Sequence, residues 1–199
     1  MKEIVIISGK GGTGKTSVAA ALATIASQTV MADCDVDAAD LHLILKPETR
    51  KSEAFFSGVK AVIDPNKCSS CGLCQDICRF DAVCHQGSVY RIDPLDCEGC
   101  GYCHHICPVD AIDLQEQQVG YCYISDTKYD CQLVHAKLEA GADNSGKLVT
   151  KVKKDAKEIA RKTGMNYILV DGSPGIGCPV ISSLSGADFV LLVTEPTLS

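Results

Sequence analysis

Short apolar runs and longer helical patterns alternate at the start of the chain. A β-branched run predicts a buried strand from Lys2 to Ser8, and an Ala-rich stretch after a glycine loop predicts a helix from about Thr16 to Ala26. A second short strand is predicted from about Thr29 to Ala32. Strand, helix and strand over roughly thirty residues is the length of one parallel βαβ unit, so we expect the chain to open with one.

The same alternation returns near the end of the chain. Apolar residues at helical spacing predict an amphipathic helix from about Val149 to Thr163, followed by a strand from Tyr167 to Val170. A short helix around Pro179 to Leu184 and a strand from about Phe189 to Thr194 come next. Alternating helices and strands predict an α/β fold with a doubly wound, mostly parallel sheet.

The middle of the chain has a different pattern, in which cysteine, glycine and turn residues replace the alternation. Ile63-Asp64-Pro65-x-x-Cys68 recurs as Ile92-Asp93-Pro94-x-x-Cys97, and the same shift of 29 residues relates four pairs of cysteines. A duplicated unit of this kind predicts two half-modules packed about a pseudo-twofold axis. We therefore expect an insert at 58–119 that divides the α/β domain into 1–57 and 120–199. Because the chain stops just after a strand, we also expect the C-terminal part of the α/β fold to be missing.

Net charge and the length of the apolar stretches argue against two classes of protein, those that bind nucleic acid and those that span a membrane. The formal net charge of −6 argues against a nucleic-acid groove as the main binding surface. No apolar stretch approaches the roughly 18 residues needed to span a bilayer, and the start of the chain is a strand, not a signal peptide. We expect a cytoplasmic protein with no integral membrane segment.

The loop after the first strand fits the phosphate-binding pattern G-x-x-x-x-G-K-[ST] and predicts an ATP or GTP site. Glycines let successive backbone N–H groups close around phosphate, Lys15 is expected to reach the β- and γ-phosphates, and Thr16 is expected to bind Mg²⁺. The predicted contacts comprise Gly9, Lys10, Gly11, Gly12, Thr13, Gly14, Lys15, Thr16 and Ser17.

This loop, with an additional lysine at Lys10, resembles that of the deviant Walker A ATPases, which include Min-system and ParA partition ATPases, Mrp-type cluster carriers and the nitrogenase iron protein. The resemblance implies that Lys10 crosses a homodimer interface to the partner's nucleotide. Asp33-Cys34-Asp35 resembles the family's first switch loop, in which Asp35, with Asp33 as the alternate, would position or activate the attacking water. Residues 171–175 resemble the second switch loop, in which Asp171 would hold Mg²⁺ through water. Ser173 stands where the family's D-x-P-P-G turn has its first proline, which leaves the rigidity of that turn open.

Two runs of four cysteines have the spacing that surrounds a cubic iron–sulfur cluster with thiolates. The chain has thirteen cysteines, and a secreted disulfide scaffold is the alternative explanation. The absence of an export signal and the cytosolic type of nucleotide loop oppose it. Zinc is the other metal to weigh, although the repeated pattern fits zinc poorly.

The insert resembles a bacterial two-cluster ferredoxin, and the whole chain is similar to Min-like ATPases that carry such an α+β insert after the first switch loop. The resemblance implies two 4Fe-4S clusters in which the fourth cysteine of each run crosses to the other cluster. One ligand set would be Cys68, Cys71, Cys74 and Cys107, and the other Cys97, Cys100, Cys103 and Cys78. Arg79 replaces the proline expected after Cys78, and clusters with a purely structural role remain an alternative.

Three functions follow from these features. The first is an ATPase that couples nucleotide state to electron transfer with a protein redox partner. The second is an iron–sulfur assembly or carrier ATPase that donates a cluster to an apo-acceptor. It would use Cys178, which has an offset from Asp171 similar to that of a cluster cysteine in the nitrogenase iron protein, although a buried packing thiol is the simpler interpretation. The third is a regulatory or positioning ATPase whose clusters are structural or sense redox state.

Overall fold

The computed structural model describes residues 1–129, 131–139 and 145–196. The chain forms two compact units, one from Met1–Phe55 with Val119–Ser199 and the other from Phe56–Gln118. The chain leaves the first unit within strand β3 (Glu48–Ile63) and returns within β6 (Ile112–Asp126). The boundaries that the sequence predicts for the insert are 58 and 119.

The first unit contains four helices and seven strands among its described residues, counting β3 and β6. The remaining elements are β1 (Lys2–Ser8), α1 (Lys15–Ile25), β2 (Thr29–Asp33), α2 (Leu41–Leu45), β7 (Gln132–Leu138), α5 (Ser145–Thr163), β8 (Tyr167–Asp171), α6 (Cys178–Leu184) and β9 (Phe189–Val193). The strand order is β3-β6-β7-β2-β8-β1-β9. From β7 to β9 neighbouring strands are parallel, and β6 is antiparallel to β7. The predicted mostly parallel α/β sheet is therefore confirmed.

Alternate residues of the central strands enter two separate cores, because successive side chains of a strand point to opposite faces of the sheet. Val5 packs in one buried cluster and Ile6 in the other, and Val30 and Met31 divide in the same way. One core is completed by the small side chains of α1 and the leucines of α2, and the other by the apolar face of α5. Each core holds one layer of helices against the sheet.

The strands β6 and β7 were not predicted. Their pairing runs from Gly120 opposite Leu138 to Asp126 opposite Gln132. This hairpin brings β7 next to β2, so the loop after β2 lies beside the end of β7. None of the helices in the described ranges is long and apolar enough to cross a bilayer.

The second unit contains α3 (Leu73–Ile77), the antiparallel hairpin of β4 (Val83–Gln86) and β5 (Val89–Ile92), and α4 (Tyr102–Ile106). Its two halves exchange equivalent backbone bonds. The Asp64 N–H donates to the Ala111 carbonyl at 2.7 Å, and the Asp93 N–H donates to the Ala82 carbonyl at 2.7 Å. Adding 29 to Asp64 gives Asp93, and subtracting 29 from Ala111 gives Ala82. The duplication in sequence is therefore also a duplication in structure.

Candidate functional site

The glycine loop lies between the end of β1 and the start of α1. Gly12 and Gly14 have φ values of +82° and +85°, which side chains other than glycine adopt at a cost. The Ser8 hydroxyl donates to the Lys10 carbonyl at 2.9 Å and fixes the start of the loop. Apart from chain neighbours, no atom of the described residues lies within 4 Å of the position that a Cβ would take on Gly9, Gly11, Gly12 or Gly14, so there is open space beside the backbone of the loop.

The ammonium of Lys15 lies between two carboxylates at the carboxyl edge of the sheet. Its Nζ is 2.7 Å from Asp171 Oδ1 and 3.5 Å from Asp35 Oδ2. Because β2 and β8 are adjacent and parallel, Asp33 at the end of β2 is in register with Asp171 at the end of β8. The sheet topology therefore brings together a lysine and acidic residues that are far apart in sequence.

The same corner suits a divalent cation. Among the described residues, the buried Asp171 Oδ2 has no hydrogen-bond partner, although Oδ1 of the same side chain is paired with Lys15. The hydroxyl of Thr16 lies 3.4 Å from Lys15 Nζ at this corner. Carboxylate and hydroxyl oxygens are the ligands that Mg²⁺ prefers, so the residues present fit the magnesium site expected here.

The three aspartates differ in environment. Burial, reinforced by the nearby Asp171 carboxylate, raises the pKa of Asp33 to about 8. Its two oxygens accept hydrogen bonds from the backbone N–H groups of Asp35 at 3.1 Å and Leu41 at 3.3 Å, so Asp33 braces the loop after β2. Burial also raises the pKa of Asp35 and of Asp171, and Lys15 opposes the rise in both. Asp35, which has one oxygen near the lysine and remains partly accessible, is better placed than Asp33 to act on a bound phosphate group.

A hydrogen bond joins the loop after β8 to the loop after β2. The Ser173 hydroxyl donates to the Cys34 carbonyl at 2.6 Å, and the Cys34 N–H donates to the Asp171 carbonyl at 2.8 Å. Ser173 is buried. The sequence predicts a change only in the rigidity of this turn and does not predict the bond. The available signal was a hydroxyl at a position where the resembling family has proline.

The other residues singled out in the sequence lie on the surface. Lys10 is exposed, with Nζ 3.9 Å from Glu195 Oε2. Cys178 is exposed at the start of α6, which does not fit the expectation of a buried packing thiol.

In the second unit, the eight cysteines of the two runs line two cavities. One cavity has a volume of about 320 Å³ including its opening, and the other about 370 Å³. Each is lined by the first three cysteines of one run and the fourth cysteine of the other run. The first set is Cys68, Cys71, Cys74 and Cys107, and the second is Cys97, Cys100, Cys103 and Cys78.

Backbone donors approach sulfur in this unit. The Ala111 N–H donates to Cys107 Sγ at 3.2 Å, and the N–H groups of Tyr90 and Ser70 lower the pKa of the Cys68 thiol. Burial raises the pKa of Cys74 and Cys103. Within the described ranges, no three Cys, His, Asp or Glu side chains converge closely enough to hold a single metal ion.

A glycine loop between a parallel strand and a helix, a buried lysine and an acidic strand end define a P-loop nucleotide-binding protein. The profile of the CobQ/CobB/MinD/ParA nucleotide binding domain matches residues 4–186, and the chain belongs to this family. The predicted membership in the MinD and ParA class of P-loop proteins is thereby confirmed.

Two curated relatives are from Methanocaldococcus jannaschii. The uncharacterized protein MJ0578 is 38% identical over 201 residues, covering 99% of this chain and 68% of the relative. The uncharacterized protein MJ0579 is 29% identical over 208 residues, covering 99% of this chain and 71% of the relative.

Two solved structures are similar at 21% identity. They are the septum site-determining protein MinD complexed with Mg-ADP from Pyrococcus horikoshii, with a TM-score of 0.46, and the cell division ATPase MinD of Pyrococcus furiosus, with a TM-score of 0.45. Each comparison covers 98% of this chain, which spans 58% and 60% of the two solved chains.

Proposed function

We propose that the protein is an ATPase that carries two 4Fe-4S clusters and couples its nucleotide state to electron transfer. The observation that carries the proposal is the arrangement of eight cysteines, four around each of two cavities, with the fourth member of each run in the other run's cavity. Family membership supports the nucleotide half of the proposal. Both halves belong to one chain, which passes between the two units through the continuous strands β3 and β6.

In the nucleotide site, the loop N–H groups and the N-terminal end of α1 bind the phosphates. Lys15 moves from its carboxylate partners to the terminal phosphates and offsets their charge. Thr16 and the unpartnered oxygen of Asp171 hold Mg²⁺, which neutralises phosphate charge when bound. Asp35 orients the attacking water, and Lys10, exposed at the start of the loop, reaches the nucleotide of the other subunit in a homodimer.

In the second unit, thiolates of the first set (Cys68, Cys71, Cys74, Cys107) hold one cluster, and those of the second set (Cys97, Cys100, Cys103, Cys78) hold the other. Each set places four thiols on the wall of one cavity, which is the number of ligands that a 4Fe-4S cluster takes. Backbone N–H groups directed at sulfur offset the negative charge of the thiolates. Clusters so held supply one-electron transfer to a protein redox partner.

Anaerobic purification tests the cluster half. Two 4Fe-4S clusters correspond to about eight iron and eight sulfide per chain. A colourless protein, or one that holds zinc, would refute it.

Electron paramagnetic resonance tests the coupling. The spectrum of the dithionite-reduced protein should change on addition of Mg-ATP. The same addition to Lys15→Ala, which keeps its iron, should leave the spectrum unchanged. Identical wild-type spectra with and without nucleotide would contradict coupling.

A regulatory or positioning ATPase is the second candidate, and it is favoured by the family itself, whose description includes MinD and ParA. In that function the clusters are structural or sense redox state. Phosphate release measured with oxidised and with reduced protein separates the possibilities. Equal rates of phosphate release from oxidised and reduced protein favour structural clusters. A rate that depends on redox state without an electron acceptor favours a sensor. Reduction of an acceptor that needs ATP favours the first proposal.

A carrier ATPase is the third candidate, favoured by the exposure of Cys178 beside the second switch loop. It predicts transfer of iron to an apo-ferredoxin, slowed in Cys178→Ala. Retention of all iron during prolonged exposure to a chelator and an apo-acceptor would contradict it.

A further inference from the structure

The repeat in the second unit provides an internal comparison between the two cysteine-lined cavities. Adding or subtracting 29 converts residues around one cavity into residues around the other: Ile63 corresponds to Ile92, Gly72 to Gly101 and Ala111 to Ala82. Any charge present at only one of the two equivalent positions therefore distinguishes the two sites.

Both cysteine loops are packed against a strand at equivalent points. In one half, the Ser70 hydroxyl donates to the Ser88 carbonyl. In the other half the equivalent pair is Gly99 and Val59, and a Cβ on Gly99 would lie 2.0 Å from the Val59 carbonyl oxygen. Ser70 and Gly99 both have positive φ, +55° and +65°. The backbones therefore approach each other in both halves.

The next residue of each strand breaks the symmetry. After Val59 comes Lys60, and after Ser88 comes Val89. Lys60 is half-buried, and its ammonium donates to the carbonyl of Cys97, the first cysteine of the second set. Valine at the equivalent position can offer neither a charge nor a donor. One cysteine loop thus has a fixed cation bonded to its backbone, and the other has none at that position.

We propose that Lys60 raises the reduction potential of the cluster bound by the second set and leaves the cluster of the first set unaffected. The inference rests on the proposed function, since it requires clusters in both cavities. Reduction adds a negative charge to a cluster, so a nearby cation favours the reduced state. A half-buried ammonium fixed by a hydrogen bond is screened less than a mobile surface charge.

The second cavity also has an acidic neighbour that its counterpart lacks. Glu98 lines it, where the first cavity has Ser69. The Glu98 carboxylate acts in the opposite direction, but its side chain is exposed and its charge is screened by solvent. Lys67, next to Cys68, is exposed as well and provides a matched control for a lysine close to a cluster cysteine in sequence.

The experiment is a redox titration of the anaerobic protein followed by electron paramagnetic resonance, with iron and sulfide measured on every sample. Lys60→Met keeps the aliphatic side chain and removes the charge. It should move the midpoint of one cluster to a more negative potential and leave the other in place. If both wild-type clusters titrate together, the variant should split the curve into two halves. Val89→Lys should raise the midpoint of the other cluster, and Lys67→Met should move neither.

The outcomes are separable. A wild-type protein without iron and sulfide would refute the proposed function before the titration begins. With clusters present, a Lys60→Met curve that overlays wild type, or one in which both midpoints move equally, would overturn the role of Lys60. If Lys60→Met loses iron, Val89→Lys decides: a positive shift of one midpoint supports the inference, and an unchanged curve overturns it.

Discussion

Replacing Lys15 with methionine perturbs both the stability of the empty nucleotide site and its affinity for ATP. The side chains of Lys15 and Asp171 are 6% and 1% exposed, and the two charges are 2.7 Å apart. Methionine fills similar space but leaves Asp171 without its ion-pair partner. Asp35, 3.5 Å from the same ammonium, also loses its ion pair.

The expected cost follows from that burial. Removing one partner of a buried ion pair costs about 3–5 kcal/mol, because the remaining charge is left uncompensated. Burial already raises the pKa of Asp171, so the carboxyl can take up a proton and limit the loss. We therefore expect a loss of about 3 kcal/mol in the free energy of unfolding, or a fall of roughly 1.5 M in the urea midpoint at about 2 kcal/mol per M.

The assay is anaerobic urea unfolding at pH 7 in chelator without nucleotide, followed by far-ultraviolet circular dichroism. Lys15→Met with Asp171→Asn should regain most of the loss, since neither partner then leaves a buried charge. Lys154→Met, an exposed lysine on α5, should change stability by less than about 0.5 kcal/mol. Mg-ATP at about 100 times its Kd should stabilise wild type by about 2.7 kcal/mol and leave Lys15→Met unchanged.

Two results would refute this reasoning. The buried pair would carry no stability if Lys15→Met unfolded at the wild-type urea concentration. The energetic coupling would be absent if the double variant were less stable than wild type by the sum of the losses of the two single variants.

Three further outcomes are expected. Ser173→Ala should lower kcat for ATP hydrolysis about five- to tenfold with little change in KM, because a hydrogen bond worth about 1–1.5 kcal/mol joins the switch loops. Ser173→Thr should restore kcat, and a rise in KM alone would contradict a positioning role. Lys10→Ala should abolish ATP-dependent dimerisation, measured by sedimentation, and ATP turnover, measured by phosphate release, with unchanged iron content; full turnover would exclude its action across the interface. Burial and the neighbouring His42 lower the pKa of His135 to about 4 from 6.5, so the unfolded chain takes up a proton first as pH falls and stability is lost between those values. In His135→Gln the urea midpoint should therefore fall less between pH 6.5 and 4 than in wild type, and parallel curves would contradict this.

The elements near the nucleotide loop could be predicted because their signals are local. The strand at Lys2–Ser8 has the predicted bounds, and α1 begins one residue before the predicted Thr16. The helix predicted from about Val149 begins earlier, at Ser145. The prediction misses the first turn because that turn lacks the apolar spacing of the rest of the helix. The β6–β7 hairpin has no comparable signal, because its residues form neither a continuous apolar run nor a strict alternation of polar and apolar positions.

The tertiary structure decided which distant residues meet. Lys15 and Asp171 are 156 positions apart, and the adjacency of β1, β2 and β8 brings them within 2.7 Å. The bond from Ser173 to Cys34 and the position of Lys60 on the Cys97 loop also depend on packing. Such contacts follow from strand order and from how two half-modules fit together, and no pattern of neighbouring residues encodes either directly.

The residues of each candidate site could be located from the sequence alone, since a glycine loop with its lysine and two evenly spaced runs of thiols are contiguous in the chain. The fold decided two further points. It places the fourth cysteine of each run in the cavity of the other run. It also makes Asp33 brace a loop while Asp35 stays near Lys15. The physical reason is that spacing along the chain fixes local backbone geometry, whereas burial, charge pairing and pKa arise only when distant segments exclude water together.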